Sequence, residues 1–329
     1  MTRSLLTLAA LVAAAPALAQ SDTDAVLDMG RERTAAFYAG ETDAIWADMS
    51  ADMQAAIGSP DGLGGFRDTV MDDLGTETAI LDETVTHAPS AEVYTRIGQW
   101  SGSDTPIVVE WGFGPEGAIV GFSIQPQAKP ADSAYLDYAT QADLRLPFDG
   151  QWYVFWGGRD IADNYHAVDP AQRFAADFVV HEDGQSYSGD PQRLDSYHCW
   201  DREILAPADA EVVGAVDAFP DLAIGDSDPA HPAGNHVILA TGENEYIFLA
   251  HLQQGSITVA EGDRVAQGDV LGLCGNSGNT SEPHLHLHMQ TTPDLTAGEG
   301  LPAQFQNYTA DGEAVERGEP LRGEIVAPQ

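Results

Sequence analysis

One short segment constrains this chain more than any other: an alternation of histidine and leucine after a turn-forming stretch. Residues 275–281 are rich in glycine and serine, and residues 284–288 then read His-Leu-His-Leu-His. Because side chains alternate between the two faces of a strand, His284 and His286 share one face while the leucines point the other way into a core. Two imidazoles close together on one rigid wall suit a zinc site with a neighbouring proton-transfer group.

The N-terminus has the pattern of a secretory signal. A basic residue at position 3 precedes an apolar run from Leu5 to Ala15, and an Ala-Leu-Ala cleavage site ends at Ala19. The run is too short to span a membrane as a helix, and no other stretch is long and apolar enough. The sequence therefore predicts a signal peptide at residues 1–19 and a periplasmic or secreted protein that does not insert into a membrane.

The charge balance excludes one class of partner. The 329 residues contain 52 acids and 14 bases, which gives a formal net charge of −38. Such a surface repels nucleic acid and anionic membranes, because phosphate binding depends on clustered Lys and Arg. The acids are dispersed along the chain, so a strongly solvated surface explains them and no function is attached to them.

Residues 22–126 predict an α+β domain in which helices pack on an antiparallel sheet. The expected helices are Asp24–Tyr38, Ala44–Ile57 and one that begins at Ser59-Pro60 and continues through Leu74. The expected strands lie at 78–81, 93–97, 106–111 and 118–124. This order, with the Glu116–Phe122 segment, resembles the nuclear-transport-factor-2-like cone fold. Docking a partner protein, binding wall fragments, covering a cleft and acting as a spacer are all open roles for it.

Residues 127–148 are predicted to form a linker, and residues 149–329 a mostly-β domain, either an antiparallel sheet or a small barrel. The second domain contains both cysteines, Cys199 and Cys274. In an exported chain a single disulfide is the economical interpretation, and two buried free thiols are the alternative.

Several ordered motifs resemble the lysostaphin/LytM-type zinc endopeptidases, which cleave peptide cross-links in bacterial cell walls. The resemblance extends from about Asp149 to Tyr308. Its motifs are Ala206–Val213, Ala250–Leu252, Glu261–Asp269 and Gly275–Gly278 leading to Pro283–His286. The resemblance implies a mostly-β zinc peptidase that acts on peptidoglycan peptides.

The resemblance also implies the site. His166, Asp177 and His286 would ligate zinc and leave a fourth position for water. His251 and His284 would lie outside the coordination shell, where one takes a proton from the water and the other stabilises the oxyanion or protonates the leaving amine. The division of roles between these two histidines is left open.

The first motif departs from the family pattern, in which three residues usually separate the histidine from the aspartate. Here two residues separate Asp169 from His166, and Asp177 lies eleven positions after His166. Asp177 is preferred because it lies in an apolar strand, where an unpaired carboxylate would be costly to bury. Asp169, beside a proline turn, is the alternative, and His181 is a further, less favoured candidate for a metal ligand. His288 is expected beside the site, and His87, His198, His231 and His236 at the surface or in turns.

Three functions compete. An active zinc endopeptidase that hydrolyses peptidoglycan cross-links is favoured because all five expected positions are filled. A catalytically inactive zinc-binding scaffold, or an activator of another wall hydrolase, is the alternative. A cupin-like metal enzyme would need Glu after three or four intervening residues from His286, the second histidine of the pair, but Gln290 and Thr291 occupy those positions.

Overall fold

A computed structural model describes residues 23–88 and 91–329. The chain forms two compact units, Met1–Gln127 and Ala128–Gln329. The predicted signal peptide, residues 1–19, lies outside the described residues. Among those described, none of the helices has the length and apolar character needed to cross a membrane.

Unit 1 begins with four helices. They are α1 Thr23–Ala39, α2 Thr42–Asp48, α3 Ala51–Ile57 and α4 Pro60–Leu74. The single helix predicted for Ala44–Ile57 is therefore two, and the prediction was wrong at this point. Met49 adopts an extended backbone and bridges to Ile119, and Ser50 then caps α3 by accepting a hydrogen bond from the Met53 amide. A tertiary contact thus overrides local helical periodicity.

The sheet of unit 1 is antiparallel and four-stranded. Its strands are β1 Glu77–Ala88, β2 Ala91–Trp100, β3 Ile107–Phe113 and β4 Ile119–Pro126, in the order β1-β2-β3-β4. The helices contribute Phe37 to a core in which Trp111 and Phe122 stack 3.9 Å apart. The α+β arrangement predicted for this part of the chain is present.

Unit 2 consists mainly of antiparallel strands. They are β5 Trp152–Trp156, β6 Ala176–Val179, β7 Glu203–Leu205, β8 Ala210–Val216, β9 Asn235–Gly242, β10 Glu245–Leu252, β11 Arg264–Val265, β12 Val270–Leu273, β13 Leu285–Gln290, β14 Gly300–Leu301, β15 Phe305–Ala310, β16 Glu313–Gly318 and β17 Ile325–Pro328. The main sheet has the order β11-β8-β9-β10-β13-β6-β5-β17-β15-β16, with β14 beside β13, and β12 pairs with β7. Strand β13 therefore lies in the interior of the sheet, between β10 and β6.

The predicted linker, residues 127–148, falls almost entirely within unit 2. Leu144, Leu146 and Phe148 are fully buried in its core. The carboxylate of Glu245, which is only 1 % exposed, accepts hydrogen bonds from the Tyr138 hydroxyl and from the backbone amides of residues 141 and 142. The segment is a structural part of the domain.

Cys199 and Cys274 form a disulfide, with their Cα atoms 5.9 Å apart. Strand β12, which pairs with β7, ends one residue before Cys274. The bridge therefore fixes the start of the segment that leads to His284 and His286. The predicted disulfide is confirmed.

Candidate active site

Strand register brings two of the predicted ligands together. On β13, His286 lies directly opposite Asp177 of β6 and opposite Ala250 of β10. Directly opposed residues project to the same face of a sheet, so the His286 ring and the Asp177 carboxylate meet there. His286 Nδ1 lies 2.8 Å from Asp177 Oδ1.

His166 reaches the same carboxylate from a 3₁₀ turn at Tyr165–Val168. Asn164 shapes this turn: its Oδ1 accepts from the His166 amide, and its Nδ2 donates to the carbonyls of Gly158 and Ala175. Asn164 is fully buried, and its bonds to His166 and to Ala175 form away from water. The result places His166 Nε2 3.0 Å from Asp177 Oδ2.

His166, Asp177 and His286 together form a donor set that fits a divalent metal. Their ligand atoms all lie within 4.8 Å of one another, and all three residues are buried. Two imidazole nitrogens and one carboxylate are a common three-ligand set for a catalytic zinc ion. A metal ion would also compensate for the burial of a carboxylate that is only 4 % exposed.

The protonation states also suit metal binding. Burial alone would raise the pKa of Asp177, but His166, His284 and hydrogen bonds from His166 and His286 hold it well below its ordinary value. Burial lowers the pKa of His286, while Asp177 opposes that shift. An ionised carboxylate and a neutral imidazole are the forms that ligate metal.

His251 enters the site through an irregularity at the end of β10. The pairing of β10 with β9 shifts register between Leu249 and Leu252, and His251 adopts a left-handed backbone with φ of 62°. Such bulges re-aim a side chain and recur beside active sites. The His251 Nδ1 bonds to the Ser277 carbonyl at 2.9 Å, and burial lowers the pKa of this imidazole well below 6.5.

His284 lies beside His251, with their ring centroids 4.7 Å apart. Its Nδ1 bonds to the Glu282 carbonyl at 2.8 Å, while its Nε2 lies 3.8 Å from Asp177 Oδ1. In both histidines a carbonyl acceptor fixes a proton on Nδ1. In its neutral form each ring therefore carries its lone pair on Nε2, where it can accept a proton.

The glycine-rich segment before His284 passes close to the loop before β9. Gly278 has φ of 89°, and a Cβ there would lie 2.4 Å from the Gly234 amide nitrogen. Ser277 joins the two segments, since its Oγ accepts from the Asn235 amide and donates to the Leu252 carbonyl. The same Ser277 supplies the carbonyl that orients His251, so this packing determines the site geometry.

A cleft of 580 Å³ opens over these groups. Among its lining residues are His166, His251 and His286, along with apolar and aromatic side chains. The latter include Tyr165, Val168, Val216, Phe219 and Leu295. The arrangement can hold a substrate chain against a metal ion and His251, with His284 behind it at a ring distance of 4.7 Å.

The structure places the alternative residues differently. Asp169 is exposed at the cleft, and its Oδ1 caps a turn by accepting from the Ala171 and Gln172 amides. His181 stacks on Tyr153 at 4.2 Å and takes no part in the ligand cluster. His288 lies beside the ligands, with its Nδ1 2.9 Å from His286 Nε2.

Sequence reasoning missed His236, which was expected at the surface or in a turn. It is only 7 % exposed, lines the cleft, and its Nδ1 bonds to the Gly234 carbonyl at 2.7 Å. Its position at the start of an apolar strand was the available signal. His231 also lines the cleft and is exposed, as expected. The side chain of His87 is not among those described, and that of His198 is largely buried.

Comparison with known proteins connects this geometry to a family. Residues 199–297 match the model of peptidase family M23. Endolysin 2638A of Staphylococcus phage 2638A is 41 % identical over 68 residues, which are 20 % of this chain and 14 % of that protein. The peptidoglycan DD-endopeptidase ShyA of Vibrio cholerae is 38 % identical over 60 residues, 18 % of this chain and 14 % of that protein. The chain thus spans about one seventh of each relative.

Solved structures were also compared. The catalytic domain of lysostaphin from Staphylococcus simulans has 20 % sequence identity and a TM-score of 0.24, over 35 % of this chain and 86 % of that one. A structure described as a putative peptidase M23 from Pseudomonas aeruginosa has 17 % identity and a TM-score of 0.29, over 66 % and 85 % of the two chains.

The family match covers only part of the site. It includes His251, His284 and His286, whereas His166 and Asp177 lie before its first residue. The match therefore supports a peptidase M23 domain in unit 2, while His166 and Asp177 are candidate metal ligands on the strength of their geometry alone.

Proposed function

We propose that this chain is an exported zinc endopeptidase that hydrolyses peptide cross-links of bacterial peptidoglycan. The observation that carries the proposal is the buried His166–Asp177–His286 cluster, with His251 and His284 beside it, in a unit that matches peptidase family M23. The cluster lies beside two histidines whose rings are oriented by backbone carbonyls, and one of them, His251, lines the cleft.

The side chains of this cluster fit the implied metal. His166 would present Nε2, His286 would present Nδ1, and Asp177 would present its carboxylate. Zinc held there would lower the pKa of a water molecule to about 7 and polarise a carbonyl group.

Proton transfer belongs to His251 and His284. Because the carbonyls of Ser277 and Glu282 accept from their Nδ1 atoms, the neutral form of each ring carries its lone pair on Nε2. Such a group can take the proton of an attacking water and deliver it to the leaving amine. In its protonated form it can stabilise the negative charge on a tetrahedral intermediate.

The test is digestion of purified peptidoglycan by the zinc-loaded protein, followed by mass analysis of the released peptides. A chelator should abolish release and added zinc should restore it. His284→Ala should bind zinc without releasing peptides, and Asp169→Asn, which lies outside the ligand cluster, is the control for zinc retention. Zinc-loaded protein that releases no fragments would favour the scaffold or activator function.

Export is part of the proposal. The residues that carry it, 1–19, lie outside the described part of the chain, but the Cys199–Cys274 disulfide suits an oxidising compartment. Cell fractionation, with N-terminal sequencing of the mature protein, tests it. The proposal predicts a first residue of Gln20 in the exported fraction, and an uncleaved protein in the cytoplasmic fraction would contradict it.

For unit 1 we propose a nuclear-transport-factor-2-like domain. The support is its order of elements, since four helices precede a four-stranded antiparallel sheet with a shared aromatic core. Docking of a partner protein stays a prediction for this unit. Peptidoglycan digestion by a chain lacking residues 23–127 would show whether the unit contributes to activity.

A further inference from the structure

The face of β13 that carries His286 continues into two side chains that the proposed proton-transfer steps do not use. His288 and Gln290 follow at intervals of two residues, which keeps them on the same face of the strand. They are 3 % and 0 % exposed. We call His286, His288 and Gln290 the polar row of β13. Burying polar groups costs free energy unless they are hydrogen-bonded, so the partners of this row matter.

The contact between His286 and His288 is direct. His286 Nδ1 faces Asp177, while His286 Nε2 lies 2.9 Å from His288 Nδ1. A neutral imidazole carries one proton, so a metal at Nδ1 requires the proton on Nε2. His288 Nδ1 must then be the acceptor. The His288 ring is held in place for this by parallel stacking on Phe248, with centroids 4.5 Å apart.

The orientation of the Gln290 amide determines which atoms of the row donate hydrogen bonds and which accept them. Its Nε2 donates to the carbonyls of Thr292 at 2.8 Å and Asp294 at 2.6 Å. Carbonyls accept only, so these bonds fix which end of the amide is NH₂ and leave Oε1 as a pure acceptor. Among the described residues, Gln290 Oε1 and His288 Nε2 are both buried and have no hydrogen-bond partner. An acceptor on the neighbouring side chain is compatible with an N–H at His288 Nε2.

We propose that His288 and Gln290 are positioning residues that select the metal-binding tautomer of His286. The backbone carbonyls orient the Gln290 amide, Gln290 favours the proton on Nε2 of His288, and His288 Nδ1 accepts from Nε2 of His286. When zinc is bound, Nδ1 of His286 no longer donates to Asp177 and is free of a proton, so that it can ligate the metal. This inference rests on the proposed metal centre.

The row also connects the ligand to the wall of the cleft. Gln290 Nε2 is 3.2 Å from the Ala297 carbonyl as well, so the amide ties together the loop between β13 and β14. Leu295 and Thr296 of that loop line the cleft. The side chains that orient the ligand therefore also hold a part of the substrate-facing surface.

Three variants of the full-length mature protein test the proposal. His288→Leu and His288→Phe remove the acceptor, and His288→Phe can keep the stacking on Phe248. His288→Asn places an amide oxygen the same number of bonds from Cβ as the imidazole Nδ1. Zinc affinity is measured by competition with a chromophoric chelator, together with the thermal unfolding midpoint. Long-range ¹⁵N spectra of the histidines report which ring nitrogen is protonated.

The Leu and Phe variants should bind zinc about 10- to 100-fold more weakly, the range found when a hydrogen-bond partner of a metal ligand is removed. His288→Asn should recover most of the affinity. In the zinc-bound unmodified protein, the His286 spectrum should show a proton on Nε2 and metal at Nδ1.

Unchanged affinity in His288→Leu, or equal losses in all three variants, would overturn this inference while leaving the metal centre in place. An unmodified protein that binds no zinc would instead overturn the metal centre itself. Zinc binding without release of peptidoglycan fragments would count against the proposed hydrolysis alone.

Discussion

His166 Nε2 and Asp177 Oδ2 lie 3.0 Å apart although eleven positions separate them in the sequence. The intervening residues are ordered by their own contacts. Arg173 is only 5 % exposed and donates to the carbonyls of Ala131 and Arg159. The segment between the two residues is thus folded onto the domain, and the pair can meet without a short spacing.

This contact predicts the behaviour of the two candidate aspartates. Asp177→Asn keeps the shape of the side chain but removes the charge that faces both imidazoles, so the zinc content should fall from about one ion per chain to nearly none. Asp169→Asn is the matched control, because Asp169 is exposed and outside the cluster. Elemental analysis after dialysis measures both. Loss of zinc in the Asp169 variant alone would transfer the ligand role to that residue.

Substitution of either proton-transfer histidine should impair hydrolysis without impairing zinc binding. His251→Ala and His284→Ala should keep zinc, since neither belongs to the ligand cluster. Each should lower the rate of peptidoglycan hydrolysis by about 10²- to 10⁴-fold, the usual contribution of a positioned acid or base. Zinc content and initial rates are measured on the same samples. A variant that loses its metal would show that its histidine is a ligand.

Much of the site could be predicted because alternation on a strand is a local property. The pattern at residues 284–288 places His284, His286 and His288 on one face whatever the neighbouring strands are. The residues that lie opposite these histidines on neighbouring strands could not be predicted in the same way. That Asp177 lies opposite His286 depends on a register between strands far apart in the sequence, and only burial of a carboxylate in an apolar segment indicated it.

Two features could not be predicted because they depend on distant contacts. The residues around Pro130 have the composition of a linker, yet the segment that follows is held by the buried carboxylate of Glu245. The break at Met49 arises from its bridge to Ile119, in the middle of a helical pattern. Local propensity is a weak guide where a tertiary partner competes with it.

The disulfide should stabilise unit 2 measurably. Cys199 and Cys274 are 75 positions apart, and closing a loop of that length in the unfolded chain stabilises a fold by about 2–4 kcal/mol. Replacing both cysteines with alanine should lower the free energy of unfolding by about this amount in urea titrations. Reduced unmodified protein is the control that keeps both side chains in the core. Two free thiols in the unfolded, unreduced protein would contradict the bridge.

The last prediction concerns the pH dependence of stability in the metal-free protein. Burial lowers the pKa of His236 below 6.5 and that of His251 well below 6.5. As the pH falls through 6.5 the unfolded chain takes up a proton at each position, while the folded chain does not. The contribution of these two histidines to the free energy of unfolding is therefore fully present above pH 6.5. It is lost as the pH falls toward the lowered pKa values, by about 1.4 kcal/mol per pH unit for each histidine.

His236→Asn isolates one of these contributions. The asparagine amide can still donate to the Gly234 carbonyl, as His236 Nδ1 does, but it does not titrate. Urea titrations of chelator-treated protein at several pH values between 7.5 and 5.5 should show a steep loss of stability in the unmodified chain and a shallower one in the variant. An equal slope in the two proteins would mean that His236 is protonated in the folded state, and stability that is constant across this range would rule out buried neutral histidines at both positions.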